Sequence, residues 1–271
     1  MSTTTSRWIE LDGADNIRDL GGLPTVDGRT VQAHRLIRSD SLQDLSTADV
    51  RHLVDDLDVR AIADLRSEIE VDSEGSGPMH AEPTVEIRNL SLFPEAGVNT
   101  DAVAVDDEDA PVVLPWQQRY PTLTEEERRR GAAGIYQRYL VDRADSIVDA
   151  LRLIAHSDGA TIVHCAAGKD RTGVVVAFAL AEVGVEPAAI IEDYALSAER
   201  VAATFARLAG RRTYAMDLDI AADLDRHKPR AATMEQLLSA MDEQHGGVGA
   251  WLRARGWTEQ DAAALRERLL G

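Results

Sequence analysis

The chain has 271 residues, 44% of them hydrophobic, enough for one domain spanning 1–271 to bury a sizeable core. With 29 Lys and Arg against 47 Asp and Glu, its formal net charge is -18 and its pI about 4.7. That balance argues against nucleic acid, which is bound chiefly through Lys and Arg clusters, and against long-range attraction to anionic membranes. A single cysteine excludes an intramolecular disulfide. No stretch approaches the roughly 18 apolar residues that span a bilayer, so stable membrane insertion is not expected. The first residues, Met1 to Arg7, lack the apolar core of a signal peptide. The expected location is cytoplasmic, with signal-less secretion left open.

Residues 16–38 read as a hairpin region, with turns at Gly21-Gly22 and Asp27-Gly28 and an extended run from Val31 to Ile37. Ser46, with Asp49 three residues on, marks a helix start. The helix should run to about Asp56, with Val50, Leu53, Val54 and Leu57 on one face. Val59–Leu65 and Val85–Leu90 read as strands. Residues 94–131 differ in composition: Asp101 to Asp109 is acidic, Pro recurs at 94, 111, 115 and 121, and Glu125 to Arg130 is a charge run. This is the expected variable insertion, read as a lid over the site or a plain surface loop.

From Ala132 to Ala155, the spacing of Ile135, Tyr139, Ile147, Leu151 and Ile154 predicts a helix against a core. A strand over Ala160–His164 follows, then a loop and an apolar helix from Thr172 to Val183. Further helices are expected over Pro187–Leu208, Met234–Met241 and Thr258–Leu270. The order predicts an α/β fold: a mainly parallel central sheet flanked by helices, with a helical C-terminal part.

The chemistry concentrates between Ala160 and Gly173. A short apolar strand ends at His164-Cys165, and a helix begins near Arg171-Thr172. Ala166, Ala167 and Gly168 are small enough for the backbone to curl tightly. Such a loop points several N–H groups at one place, and the helix terminus adds positive potential there. Arg171 at the rim offers a planar fork for two oxygens of a phosphate. Cys165 at the base would be stabilised as a thiolate by the same field and could attack phosphorus, forming a phosphocysteine that water then hydrolyses. Thr172 could donate its hydroxyl to the departing sulfur, and His164 is assigned to orienting the loop. Lys169 adds a second cation, suited to a second anionic group on the substrate.

His164-Cys165, five residues, then Arg171-Thr172-Gly173 resembles the phosphate loop of the protein tyrosine phosphatase superfamily. Gly168-Lys169-Asp170-Arg171 further resembles the bacterial PtpB-type tyrosine phosphatases, sometimes grouped as tyrosine/serine phosphatases. Other segments match as well: Asn16 to Gly22, Leu36 to Ser39, Ala63 to Ser67 and Asp193 to Ser197. The resemblance implies that Cys165 is the nucleophile, that Arg171 binds phosphate and that Asp170 can act as the acid. It also implies that substrates are phosphorylated proteins (phosphotyrosine, phosphoserine or phosphothreonine) or phosphoinositides. Lysine at the position of Lys169 also occurs in a lipid phosphatase of the superfamily.

Asp64 is read as a partner of Arg66 or Arg38, with a supporting place near the site. Asn16, Arg18 and Asp19 are expected to hold the N-terminal hairpin together, with Asp19 a minor candidate for an acid. The seven His show no metal-ligand spacing, so neither a metal nor another cofactor is expected. A rhodanese-type sulfurtransferase and a phosphate-binding module without turnover are the competing readings. The pair Lys169-Asp170 and the run Arg171-Thr172-Gly173 favour the phosphatase over the first, and an intact Cys165 and Arg171 favour it over the second.

Overall fold

The computed structural model describes residues 7–94, 123–211, 213–214 and 224–271. Five strands form one sheet: β1 (Arg18–Asp19), β2 (Leu36–Ser39), β3 (Val59–Asp64), β4 (Glu86–Asn89) and β5 (Ala160–His164), in the order β1-β2-β5-β3-β4. Only the β1–β2 pair is antiparallel. Strand β5 is buried along its whole length, as expected of a central parallel strand covered on both faces.

Side chains alternate between two cores, following the period of two along a strand. Leu36, Ala61, Ala63 and Val163 face the larger core. Ile37, Ile62 and Ile162 face the smaller one, with Leu53, Val54 and Leu57, and Val59 joins them across a register shift between Val59 and Ala61. The smaller core is covered by α1 (Thr47–Arg51), which continues as a π-helical turn over His52–Asp56. Ser46 and Asp49 form a capping box at its start.

Between β3 and β4 lies α2 (Glu68–Glu74), capped by Ser67 and Glu70. The larger core is covered by α4 (Ala132–Asp142), α5 (Ala144–His156), α6 (Asp170–Glu182), α7 (Pro187–Leu196), α9 (Ala231–His245), α10 (Val248–Arg253) and α11 (Glu259–Leu270). Two further helices, α3 (Glu125–Arg129) and α8 (Val201–Ala209), complete the α-helices among the described residues. Helix α6 is buried from Arg171 through Leu180, which explains why its sequence is apolar all round.

Several boundaries differ from the sequence reading. The extended run at 31–37 pairs in the sheet only from Leu36, because His34 takes a left-handed φ of 56° that breaks the strand just before it. The long helix expected over 132–155 is two, broken at Arg143 (φ -138°, ψ 46°). The one expected over 187–208 is likewise two, divided by a 3-10 turn over Ser197–Glu199. Helix α6 starts at Asp170, two residues before the expected Thr172. Helix α9 extends beyond 234–241 at both ends, and α2 and α10 were not anticipated. Of the expected lid, residues 95–122, including the acids at 101–109, lie outside the described residues. Its last part forms α3, capped by Thr124 and Glu127. Among the described residues, no helix is long and apolar enough to cross a membrane.

One buried carboxylate ties β1, β2 and α7 together. Asp193 accepts from Arg18 Nε at 3.0 Å, Arg38 Nη1 at 2.8 Å and Arg7 Nη1 at 2.8 Å. Burial, with Arg38 next, pushes Arg18 down to about 9, so it stays charged at neutral pH. Burial alone would raise Asp193, but Arg18, Arg38 and Arg7 outweigh it and hold the carboxyl well below the usual range.

Asp193→Asn should therefore cost about 3–5 kcal/mol in urea unfolding at pH 7, because it leaves buried guanidinium groups short of a counter-charge. The pH dependence follows from the lowered carboxyl. Its contribution is complete above the unfolded value of about 3.9 and fades as pH falls towards the folded one. The stability gap between wild type and variant should then narrow below about pH 4.

Candidate active site

Strands β2, β3 and β5 end level with one another, with Ser39 and Asp64 flanking His164 in register. Residues 165–169 leave the sheet at its C-terminal edge, where open α/β sheets bind ligands, and run directly into α6. Gly168 takes φ 68°, and a Cβ there would lie 2.5 Å from the Ser39 carbonyl oxygen, so only glycine fits.

The carbonyls of this loop are held from outside. Ser41 N–H donates to the Ala166 oxygen at 3.0 Å, and Asn16 Nδ2 donates to that of Ala167 at 2.9 Å. Arg38 Nη2 donates to the oxygens of Gly168 at 2.8 Å and Lys169 at 3.4 Å. His164 Nδ1 lies 3.3 Å from the Cys165 oxygen. With the carbonyls occupied, the loop amides are left for an anion. Asn16 and Arg18 thus serve the loop rather than the hairpin alone. Asp19 is structural: it accepts from the N–H groups of Gly21 and His34.

Cys165 is 2% exposed at the base of the loop. Arg171, in the first turn of α6, is set by Glu70 of α2. Glu70 accepts from Arg171 Nη1 at 2.6 Å and Nη2 at 2.9 Å, and Nη1 also donates to the Leu65 oxygen at 3.2 Å. Tyr214 donates its hydroxyl to Glu70. Burial alone would lower Arg171, but Glu70 and then the Cys165 sulfur push it well above its ordinary value. Burial alone would likewise raise Glu70, but Arg171 outweighs it and holds the carboxyl ionised. Phe93 covers the guanidinium, its ring centre 5.2 Å away.

Asp64 pairs with Arg66, as expected, through Nε at 3.0 Å and Nη2 at 2.7 Å, and its Oδ1 lies 3.6 Å from His164 Nε2. Burial pushes His164 down against the pull of Asp64, leaving a neutral ring. Burial would raise Asp64, yet its pKa is lowered; with the imidazole neutral, the Arg66 fork is what keeps it ionised. Asp64 is therefore tied up and does not point an acid at the loop.

Lys169 donates from Nζ to the His227 carbonyl at 2.7 Å and lies 3.4 Å from Asp170 Oδ2, with the Phe205 ring 5.4 Å away. Among the described residues, the buried Thr172 hydroxyl has no hydrogen-bond partner. Ala166 and Ala167 pack beside Leu208 and Tyr214.

Three groups at the site escaped the sequence reading: Glu70, Tyr214 and Tyr136, whose hydroxyl donates to Asp170. A signal existed for Glu70, because Ser67 followed three residues later by Glu70 fits the capping-box spacing. The tyrosines lie 34 and 144 positions from their partners and leave no local trace. Among the described residues, no group of three or more His, Cys, Asp or Glu is arranged to hold a metal.

A cysteine at the base of an amide-lined loop, with an arginine fixed at the mouth, defines a cysteine-dependent phosphatase. Residues 9–271 match the tyrosine phosphatase family, and the chain belongs to it. It is 28% identical to the triple specificity protein phosphatase PtpB of Mycobacterium tuberculosis over 289 residues, covering 97% of this chain and 99% of that protein. It is also 34% identical over 122 residues to a tyrosine-protein phosphatase of Nostoc commune, covering 44% of this chain and 42% of that one.

Glu70→Gln should unsettle the Arg171 fork. We expect kcat/KM on an aryl phosphate to fall roughly 10- to 100-fold, the scale at which small misplacements of a catalytic group act. Tyr214→Phe, which leaves the Glu70–Arg171 pair intact, should cost less. Equal losses in steady-state kinetics would place the two residues in separate roles.

Proposed function

We propose that Cys165 attacks the phosphorus of a phosphate monoester as a thiolate, with the loop amides of residues 166–171 and the Arg171 fork binding the phosphoryl oxygens. The S–P bond forms as the P–O ester bond breaks, and Asp170 gives the leaving oxygen its proton. Water then attacks the phosphocysteine and releases phosphate. The observation that carries this reading is a buried Cys165 in a loop whose carbonyls are engaged by Ser41, Asn16 and Arg38, beside an Arg171 anchored by Glu70. Such preorganised donors are effective because they need no rearrangement as charge develops. The unpartnered hydroxyl of Thr172 supports its role as a donor to the sulfur when the phosphocysteine breaks down.

Phosphotyrosine is the proposed main substrate, with phosphoserine, phosphothreonine and phosphoinositides as further ones. The name of the mycobacterial relative, a triple specificity phosphatase, supports a broad range. A bis-phosphorylated substrate would draw on Lys169, a cation at the loop that gives up its bond to the His227 carbonyl when a second phosphate arrives.

Cys165→Ser should reduce turnover of an aryl phosphate to below a few percent while vanadate binding persists, since a serine hydroxyl stays protonated. Retained activity would rule out the cysteine mechanism. Phosphopeptides assayed beside mono- and bis-phosphorylated phosphoinositides should rank phosphotyrosine first. They should also show Lys169→Ala weakening the bis-phosphorylated lipid most, and an equal effect on every substrate would remove Lys169 from selection.

A further inference from the structure

The carboxyl of Asp170 spans two environments. Its Oδ1 accepts a hydrogen bond from the Tyr136 hydroxyl, and its Oδ2 lies 3.4 Å from Lys169 Nζ. The Asp170 side chain is 34% exposed, whereas Tyr136 is 1% and Tyr194 2% exposed. The hydroxyls of Tyr136 and Tyr194 lie 2.7 Å apart. A phenol has one proton to donate. Tyr136 directs its proton at Asp170, so the hydrogen between the two tyrosines comes from Tyr194. The sequence of donors therefore has one direction: Tyr194 to Tyr136 to Asp170.

The rings that carry these hydroxyls are fixed. Tyr136 stacks on Tyr139 at 6.0 Å and meets Tyr194 edge-on at 6.3 Å. Gly173 allows the contact with α6, because a Cβ there would fall 2.8 Å from the Tyr194 ring. Burial, then the neighbouring Asp170, pushes Tyr136 well above its ordinary value, so it remains a donor at working pH.

We infer that Tyr136, ordered by Tyr194, is a positioning residue that selects the oxygen of Asp170 from which the leaving group is protonated. The inference rests on Asp170 being the acid proposed above. Oδ1 accepts the Tyr136 hydrogen bond, whereas among the described residues Oδ2 accepts none, Lys169 Nζ directing its hydrogen bond at the His227 carbonyl. Oδ2 is therefore the oxygen from which the leaving group takes its proton. As the P–O bond breaks, the leaving oxygen takes that proton and Asp170 becomes a carboxylate, still holding the Tyr136 hydrogen bond on Oδ1. A hydrogen bond to an ionised acceptor is stronger than one to a neutral acceptor. The Tyr136 contact thus strengthens as the proton departs, which favours the transition state over the ground state.

The test uses Tyr136→Phe, Tyr194→Phe, Asp170→Asn and the double variant Tyr136→Phe/Asp170→Asn. Each is assayed on 4-nitrophenyl phosphate, with a good leaving group, and on phenyl phosphate, with a poor one. Tyr136→Phe should lower kcat on phenyl phosphate about tenfold and on the nitrophenyl ester by less than about threefold, with KM little changed. Tyr194→Phe should show the same selectivity with a smaller loss, and it carries the test alone if Tyr136→Phe fails to fold. The double variant should match Asp170→Asn within about twofold, because the tyrosine acts only through the carboxyl. Equal losses on both substrates, or a full further loss in the Asp170→Asn background, would overturn the role of Tyr136 while leaving Asp170 as the acid. Asp170→Asn losing equally on both substrates would remove Asp170 as the acid and this inference with it.

Discussion

The site depends on where five carbonyls point. A loop of small residues at the end of a strand can present its amides inward or its oxygens inward, and only the first binds an anion. Here the oxygens of residues 165–169 are engaged from outside by His164, Ser41, Asn16 and Arg38. These donors come from the segments before β1, at β2 and just after it, and from the end of β5. The antiparallel edge of the sheet and the turns around it thus shape the cradle at its centre. Asp40 extends this scaffold, accepting from the N–H groups of Asp15 and Asn16. Burial, only partly offset by those N–H groups, raises its carboxyl to about 6.

Charge is arranged on the same principle. Burying an ion is costly unless it is paired and hydrogen-bonded, and three buried carboxylates are matched with guanidinium groups in place. Asp193 gathers Arg7, Arg18 and Arg38, Asp64 holds Arg66, and Glu70 holds Arg171. A protein of net charge -18 still makes a positive site, because the attraction comes from fixed amides, a helix terminus and one anchored guanidinium rather than from overall charge. Glu70 orients Arg171 through its two Nη atoms, leaving Nε outside that contact.

Much of this was legible in the sequence, for local reasons. Strand β5 appeared with its observed limits because a short run rich in β-branched residues, Thr161-Ile162-Val163, lies between Gly159 and the loop. The Ser46 start of α1 followed from a side chain that bonds its own backbone, and the helix expected over 258–270 forms as α11 with Thr258 as its cap. The segments around Asn16, Arg38, Asp64 and Asp193 stood out as motifs, but their purpose lay in partners up to 186 positions away. The breaks at Arg143 and Ser197 were missed because the apolar period continues across them, so only backbone angles reveal the change of direction. Helix α2 was missed because Glu68–Glu74 is acidic and shows no apolar stripe, yet it delivers the carboxylate that sets Arg171.

The central claim is that the sulfur of Cys165 carries the phosphoryl group between substrate and water. Rapid acid quench of the wild-type enzyme during turnover of an aryl phosphate, followed by mass spectrometry of its peptides, tests this directly. The account predicts a phosphoryl adduct confined to the peptide containing Cys165, appearing within the first turnover and disappearing as substrate is exhausted. Catalysis with no adduct at that peptide, in an enzyme whose Thr172→Ala variant also accumulates none, would contradict it.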